Sequence, residues 1–369
     1  MRNHLIKTTL ASAVIGTVLA VPAQADVTVV SWGGAYTMSQ QKAYSDTYAP
    51  GGINWVNYNG GLGEVRAQVE SGNVTWDIVD VLPHEARVGC DEGLFEELPR
   101  DVFTKAPDGT SMDDDMFVPI PNDCVVPQIF WSYVPFYQKG TFDGNAAGNP
   151  KTIADFFDVK KFPGKRGIHT WANATVEMAL MADGVAPGDV YKTLSTKAGQ
   201  DRAFAKLDTI KDHVVFWSAG AEPLELVKSG EVAMSLAYNG RIGAAVLSEN
   251  APFVTNWDGQ VLEEEWLVLV KGSPNRDEAL KFLIHASAPE QQAGQAKWIT
   301  YAPMRKSGID IIAKSEQAGK PWFNTGVNIL PLMPNAGEAT SQKHLYADPV
   351  WWADNGDSIS ERFKAWMGQ

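Results

Sequence analysis

From Val27 onward one local pattern recurs: a short run of β-branched residues, a turn, then apolar residues at helical spacing. Val27-Thr28-Val29-Val30-Ser31 reads as a buried strand, and Trp32-Gly33-Gly34-Ala35-Tyr36 as the turn into a helical stretch through Tyr48. The alternation predicts further strands at 53–58 and 76–82 around a helix at 63–71. After a stretch rich in Pro, Gly and Asp from Pro99 to Pro150, within which 125–136 reads as extended, it resumes. Strands are expected at 167–170, 213–217 and 232–238, and helices at 175–183, 200–211 and 222–229. Another strand is expected at 266–270, then helices at 276–286, 289–295 and 358–367, the last with Ile359, Phe363 and Trp366 on one face. Such alternation predicts an α/β protein, with helices on both faces of open sheets. With 369 residues, 44% of them hydrophobic, the chain can form two such lobes around a cleft, and open α/β sheets bind ligands at the carboxyl ends of their strands.

The first 25 residues carry Arg2 and Lys7, an apolar stretch around Leu10 to Val21, and Ala23-Gln24-Ala25 before Asp26. This is the layout of a secretory signal peptide cleaved after Ala25, and the apolar stretch is shorter than the roughly 20 residues needed to span a bilayer. An exported, periplasmic protein is therefore expected. In that oxidising compartment an isolated pair of cysteines, Cys90 and Cys124, is expected to be bridged. A formal net charge of −13 with no run of Lys or Arg argues against nucleic acid or an anionic membrane surface as partner.

Catalytic and cofactor motifs fail on spacing. His84-Glu85 opens like a zinc-protease signature, but Val88 stands where the second histidine should be. Gly61-Leu62-Gly63 opens like a dinucleotide fingerprint, but Arg66 holds the third glycine position. Asp113-Asp114-Asp115 lacks the alternating ligands of a calcium loop. No metal, no cofactor and no enzymatic activity are expected, with a secreted hydrolase using a carboxylate pair as the rival reading.

Aromatic residues recur at strand ends and in the turns after them: Trp32 and Tyr36, Trp171, Trp217, Tyr238, Tyr301 and Trp351-Trp352. Rings at such places can line a cleft and attract an ammonium over their faces. Glu263-Glu264-Glu265 immediately precedes the strand at 266–270, and period-2 alternation points Glu263 and Glu265 to one side, where they can hold an amine. Arg241, in Asn239-Gly240-Arg241 after the strand at 232–238, can fork onto a carboxylate or pair with one of those glutamates.

Taken together, the export segment, Ser31-Trp32-Gly33-Gly34-Ala35-Tyr36, Trp76-Asp77-Ile78-Val79, Ala237-Tyr238-Asn239-Gly240-Arg241 and Tyr301-Ala302-Pro303 resemble the periplasmic solute-binding proteins of ABC importers. Within these the chain looks most like the spermidine/putrescine-binding branch, over essentially all of its mature length. The resemblance implies a two-lobed type II fold: residues 26–130 plus 259–303 in one lobe, residues 131–258 plus 304–369 in the other. It also implies a monomer that closes over a small solute and docks on a membrane permease driven by an ATPase. Carried over residue by residue, Trp32 and Tyr36 match cleft aromatics, with Gly33 and Gly34 in the same turn. Tyr238 and Tyr301 match two more cleft rings, and Glu265 falls where the family places an amine-binding aspartate.

Two departures bear on the ligand. The turn after the third strand reads Leu82-Pro83-His84-Glu85 where polyamine binders carry a serine and a tyrosine, and Trp171-Ala172-Asn173-Ala174 replaces an acidic pair. One end of a diamine loses its carboxylates unless Glu85, with His84 beside it, replaces them. A polyamine is the leading expectation. The alternative is an ω-amino acid or opine-like zwitterion whose carboxylate meets Arg241.

Overall fold

The computed structural model describes residues 26–336 and 338–368, so the export segment expected over residues 1–25 lies outside the described residues. Its strands are β1 (Val27–Ser31), β2 (Ile53–Asn57), β3 (Ile78–Val81), β4 (Val125–Gln138), β5 (Arg166–His169), β6 (Val214–Trp217), β7 (Met234–Tyr238), β8 (Phe253–Thr255), β9 (Gln260–Leu269), β10 (Ala302–Pro303) and β11 (His344–Tyr346). The apolar runs form strands because they are covered on both faces: Val29, Val30, Ile78, Val79 and Ile168 are fully buried. Helices Gly63–Ser71, Arg276–Ala286 and Pro289–Gln295 have the bounds their spacing predicts.

The strands join into one mixed sheet in the order β2-β1-β3-β9-β4-β7-β5-β6, with β10 and β8 added to β4 and β11 to β9. Parallel pairs β1–β2 and β1–β3 lie at one end, and parallel pairs β5–β6 and β5–β7 at the other. Between them run two long antiparallel strands. The far half of β9 pairs with β3, Val81 opposite Trp266 and Ile78 opposite Leu269, while the far half of β4 pairs with β7, Tyr133 opposite Tyr238 and Tyr137 opposite Met234. The two lobes thus share a hydrogen-bonded ladder, β4 against β9, instead of carrying separate open sheets. One residue interrupts its register. Gln128 is an extra residue between Pro127, opposite Trp266, and Ile129, opposite Glu265.

Three features differ from the sequence expectations. The strand expected at 266–270 begins at Gln260, so the three glutamates lie inside it and not in a turn before it. The last helix begins at Pro349 and not near 358, because Asp348 Oδ1 accepts from the amides of Val350 and Trp351, each at 3.0 Å, and proline suits the first helical position. Helices Pro83–Asp91, Asn239–Glu249 and Lys306–Gln317 add to those the spacing indicated. Among the described residues no helix is long and apolar enough to cross a membrane.

Cys90 and Cys124 form the expected disulfide, tying the end of helix Pro83–Asp91 to the start of β4 with 6.0 Å between Cα atoms. It closes a span of 34 residues in the unfolded chain. On the chain-entropy account, reduction should lower the unfolding free energy by about 3 to 4 kcal/mol. Urea unfolding of the oxidised and reduced protein, read by tryptophan fluorescence, measures the difference.

Candidate ligand-binding site

The floor of the site follows from the register of the central ladder. Ile129 stands opposite Glu265, Trp131 opposite Glu263 and Tyr133 opposite Val261, so these residues share one face of the sheet at the junction of the lobes. Glu264 points to the other face, opposite Phe130, as the period-2 reading requires. An open cleft lies over this floor, with about 730 Å³ of free space that includes the solvent at its mouth. Trp32, Tyr36, Asn59, Leu82 and Tyr301 line it from one side, and His169, Trp171, Asn173, Ala174, Ser218, Gly220, Tyr238 and Arg241 from the other.

Its walls are aromatic. Trp32 meets Trp171 edge to face across the cleft, ring centroids 5.9 Å apart, Tyr36 meets Tyr301 at 5.5 Å, and Trp131 meets Tyr238 at 5.2 Å. Gly60 has to be glycine here: its φ is +80°, and a Cβ would come within 2.7 Å of the Trp32 ring and 3.1 Å of Trp171. Ala174 lines the pocket with φ +62°, a left-handed conformation that alanine rarely adopts and that is held here at the start of helix Thr175–Ala182. Burial pushes the His169 pKa down to about 3, and the neutral ring accepts a 2.8 Å hydrogen bond at Nδ1 from the Trp171 amide. That bond fixes the start of the Trp171 turn.

Charge is concentrated on the floor and one wall. Glu263 and Glu265 are 5% and 4% exposed, and burial raises both carboxyl pKa values well above the ordinary range. Neighbouring carboxylates add to the effect, Glu264 foremost for Glu263 and Asp80 foremost for Glu265. Opposing them is Arg241. Its Nη1 donates to the Gly33 carbonyl at 3.1 Å and its Nη2 to the Trp32 carbonyl at 3.0 Å, bonds that cross from one lobe to the other. Its Nε is buried and has no partner, and neither has Oε1 of Glu265. Gly220 permits this placement, since a Cβ there would sit 2.6 Å from Nε.

Of the residues singled out in the sequence, Trp32, Tyr36, Trp171, Tyr238, Arg241, Glu263, Glu265 and Tyr301 line one pocket. Gly33 and Gly34 stand behind it, Gly33 giving its carbonyl to Arg241 and Gly34 leaving room for the guanidinium. Glu85 does not face the ligand space. Its Oε1 accepts from the Gly61 amide at 2.7 Å and its Oε2 from the Leu82 amide at 3.0 Å, which caps helix Pro83–Asp91. His84 is turned toward Trp352, 6.4 Å between ring centroids, and Trp217 is buried behind the wall against His169, Tyr133 and Tyr238. The sequence reading does not single out Trp131 and Tyr133, which lie in an extended stretch buried on both faces. It also missed Asn59, Ser218 and the buried Asp80 beneath the floor.

Two lobes sharing a central ladder, with an aromatic and charged cleft at their junction, define a type II periplasmic binding protein fold. A family model described as bacterial extracellular solute-binding protein matches residues 39–320, and the chain belongs to that family. A gamma-aminobutyric acid-binding protein of Pseudomonas aeruginosa is 37% identical over 364 residues, covering 97% of this chain and 96% of the relative. Among solved structures, the periplasmic binding protein MotA of A. tumefaciens B6 in complex with glucopine is 29% identical with a TM-score of 0.80, over 93% of this chain and 99% of its own. A gamma-aminobutyric acid (GABA) receptor is 31% identical with a TM-score of 0.73, over 93% and 97%. Two of these relatives are named for GABA, and the third holds glucopine.

The raised pKa of Glu265 has a stability consequence with a definite sign. The folded protein holds its proton to higher pH than the unfolded chain does, so this group lowers stability as pH rises above the ordinary carboxyl range. Glu265→Gln should therefore raise the melting temperature of the ligand-free protein at pH 8, with the gain shrinking toward pH 5. The same change should weaken an amine ligand at least tenfold, about 1.4 kcal/mol or more. Thermal melts at the two pH values and a binding isotherm test both, and unchanged affinity would remove Glu265 from the site.

Proposed function

We propose that the protein is the solute-capturing component of an ABC importer and that its ligand is a zwitterion with separated charges, an ω-amino acid such as GABA or a small opine. The observation that carries the reading is that one pocket is lined by Arg241, whose Nη atoms rest on neutral carbonyls and not on a carboxylate, and by Glu263 and Glu265, with Arg241 Nε and Glu265 Oε1 left without partners. Leaving a buried polar group unsatisfied costs about 1 to 3 kcal/mol, and more when it is charged. A zwitterion satisfies both ends at once, its carboxylate on the guanidinium and its ammonium on the glutamates. A diamine satisfies only the acidic end and brings a second cation toward Arg241. The polyamine expectation therefore gives way to the alternative, in keeping with the names of the relatives at 37% and 31% identity.

In this reading the aromatic walls enclose the methylene chain, and the Arg241 bonds to the Trp32 and Gly33 carbonyls hold the lobes together over it. The site is complete within one chain, which then works as a monomer delivering its solute to a permease and its ATPase in the periplasm. We place the lobe boundaries within β4 and β9, and we assign residues 304–333 to the lobe of β1–β3. Arg305 ties that segment to Asp115 at 2.8 Å and to the carbonyls of Thr104 and Ser287, and Ile312, Phe323 and Met333 pack with Ala293 and Ala296.

A thermal-shift screen of protein stripped of carried-over ligand by unfolding and refolding tests the reading. GABA should raise the melting temperature and putrescine should not. A shift with putrescine alone overturns the proposal. Arg241→Ala should cost GABA at least tenfold in affinity, measured by calorimetry.

A further inference from the structure

Beneath Glu265 lies a polar cluster with an asymmetry that the pocket itself does not require. Asp80, in the middle of β3, is fully buried and forms no part of the pocket lining. Its Oδ2 accepts from Gln40 Nε2 at 2.6 Å and from Gln128 Nε2 at 3.0 Å, and the Tyr36 hydroxyl, 2.5 Å from Gln128 Oε1, lies 3.0 Å from it. Its Oδ1 has no partner. Asp80 pairs with Leu267 across the β3–β9 ladder, so Glu265, two residues along, stands diagonally from it on the same face, and the two carboxyl groups meet side chain to side chain. Each presents a bare, buried oxygen.

Among the described residues, the groups that act electrostatically on this pair do not supply a counter-charge. They are the carboxyls of Glu263 and Glu85, the phenols of Tyr36, Tyr44, Tyr58, Tyr238 and Tyr301, and the Trp32 indole. The cation on this side is Arg241, whose Nη atoms are engaged by the Trp32 and Gly33 carbonyls. Two adjacent carboxylates cannot both ionise in such a site without a cation between or beside them. Burial accordingly pushes Asp80 up to about 8 and Glu265 well above its ordinary value.

We propose that Asp80 and Glu265 share one proton in the ligand-free protein, and that an ammonium group docking on Glu265 displaces that proton to solvent. Asp80 is then a positioning residue that acts through Glu265. It sets a requirement for charge: a protonated amine replaces the lost proton, whereas a neutral group of the same size does not. The inference rests on the amine-bearing ligand proposed above.

Calorimetric titration with GABA, in buffers of different ionisation enthalpy between pH 6 and pH 9, counts the protons. Close to one proton should be released per GABA bound at pH 7, with affinity rising by up to about tenfold per pH unit and levelling near pH 8. Asp80→Asn keeps an acceptor for Gln40 and Gln128 and can donate to Glu265 as the protonated acid would. It should bind GABA with clearly fewer protons released than the wild type and with a shallower rise of affinity across this range. Wild-type binding that is flat with pH and releases no proton overturns the proposal. A ligand-free readout separates it from the ligand assignment: the infrared difference between wild type and Asp80→Asn at pH 7 should contain a protonated-carboxyl band. If GABA fails to bind but the band is present, the ligand assignment fails and the shared proton stands. If the band is absent, the shared proton is wrong whatever the ligand.

Discussion

The antiparallel pairing of β4 with β9 is the constraint on which the rest of the molecule depends. Fourteen residues of one strand and ten of the other run through both lobes and are hydrogen-bonded to each other along most of their length. Any change in lobe angle must be absorbed by twisting this ladder or bending it where its register is broken, at Gln128. The same bulge turns the Gln128 side chain toward the cleft floor, where it bonds both Asp80 and Tyr36. One local irregularity thus links the mechanics of the crossing to the chemistry of the floor.

The site gathers charge that the fold alone has no use for. Glu263, Glu265 and Asp80 are all removed from water, and a core of apolar residues at those positions would be more stable. Such a cost is usual where a protein holds binding groups ready for a partner that arrives later. Arg241 shows the complementary strategy. Two backbone carbonyls from the opposite lobe hold its Nη atoms and leave Nε without a partner, so the guanidinium is oriented before any ligand reaches it.

What could be read in the sequence followed from periodicity. The recurring strand-turn-helix units placed most elements, and alternation along Glu263-Glu264-Glu265 gave the faces that the Ile129–Glu265 and Trp131–Glu263 pairs display. The aromatics of β4 were hidden by the same physics. In Ile129-Phe130-Trp131-Ser132-Tyr133 both faces of the strand are covered, so no polar contrast marks which rings look into the cleft. Asp80 was hidden too, because a single polar letter in Ile78-Val79-Asp80-Val81 gains its meaning only from Gln40 and Gln128, which are far away in the chain. Glu85 misled in the opposite way. A glutamate two residues after a proline at a strand end fits a ligand contact and a helix cap equally well, and only the amides of Leu82 and Gly61 decide for the cap.

The question of the ligand turns on the same distinction between having a residue and having its atoms available. Glutamates, an arginine and aromatic rings are compatible with a diamine and with a zwitterion, since a structural Arg241 bound to the glutamates would leave only an acidic pocket. In the folded protein the Nη bonds of Arg241 go to backbone carbonyls and Nε is left unmatched, while the side chain lines the pocket that Glu265 also lines. Carbonyls are neutral acceptors, so they orient the guanidinium without cancelling its charge. The pocket therefore retains one positive group beside its acidic floor, and a ligand with a single positive end and a single negative end complements both.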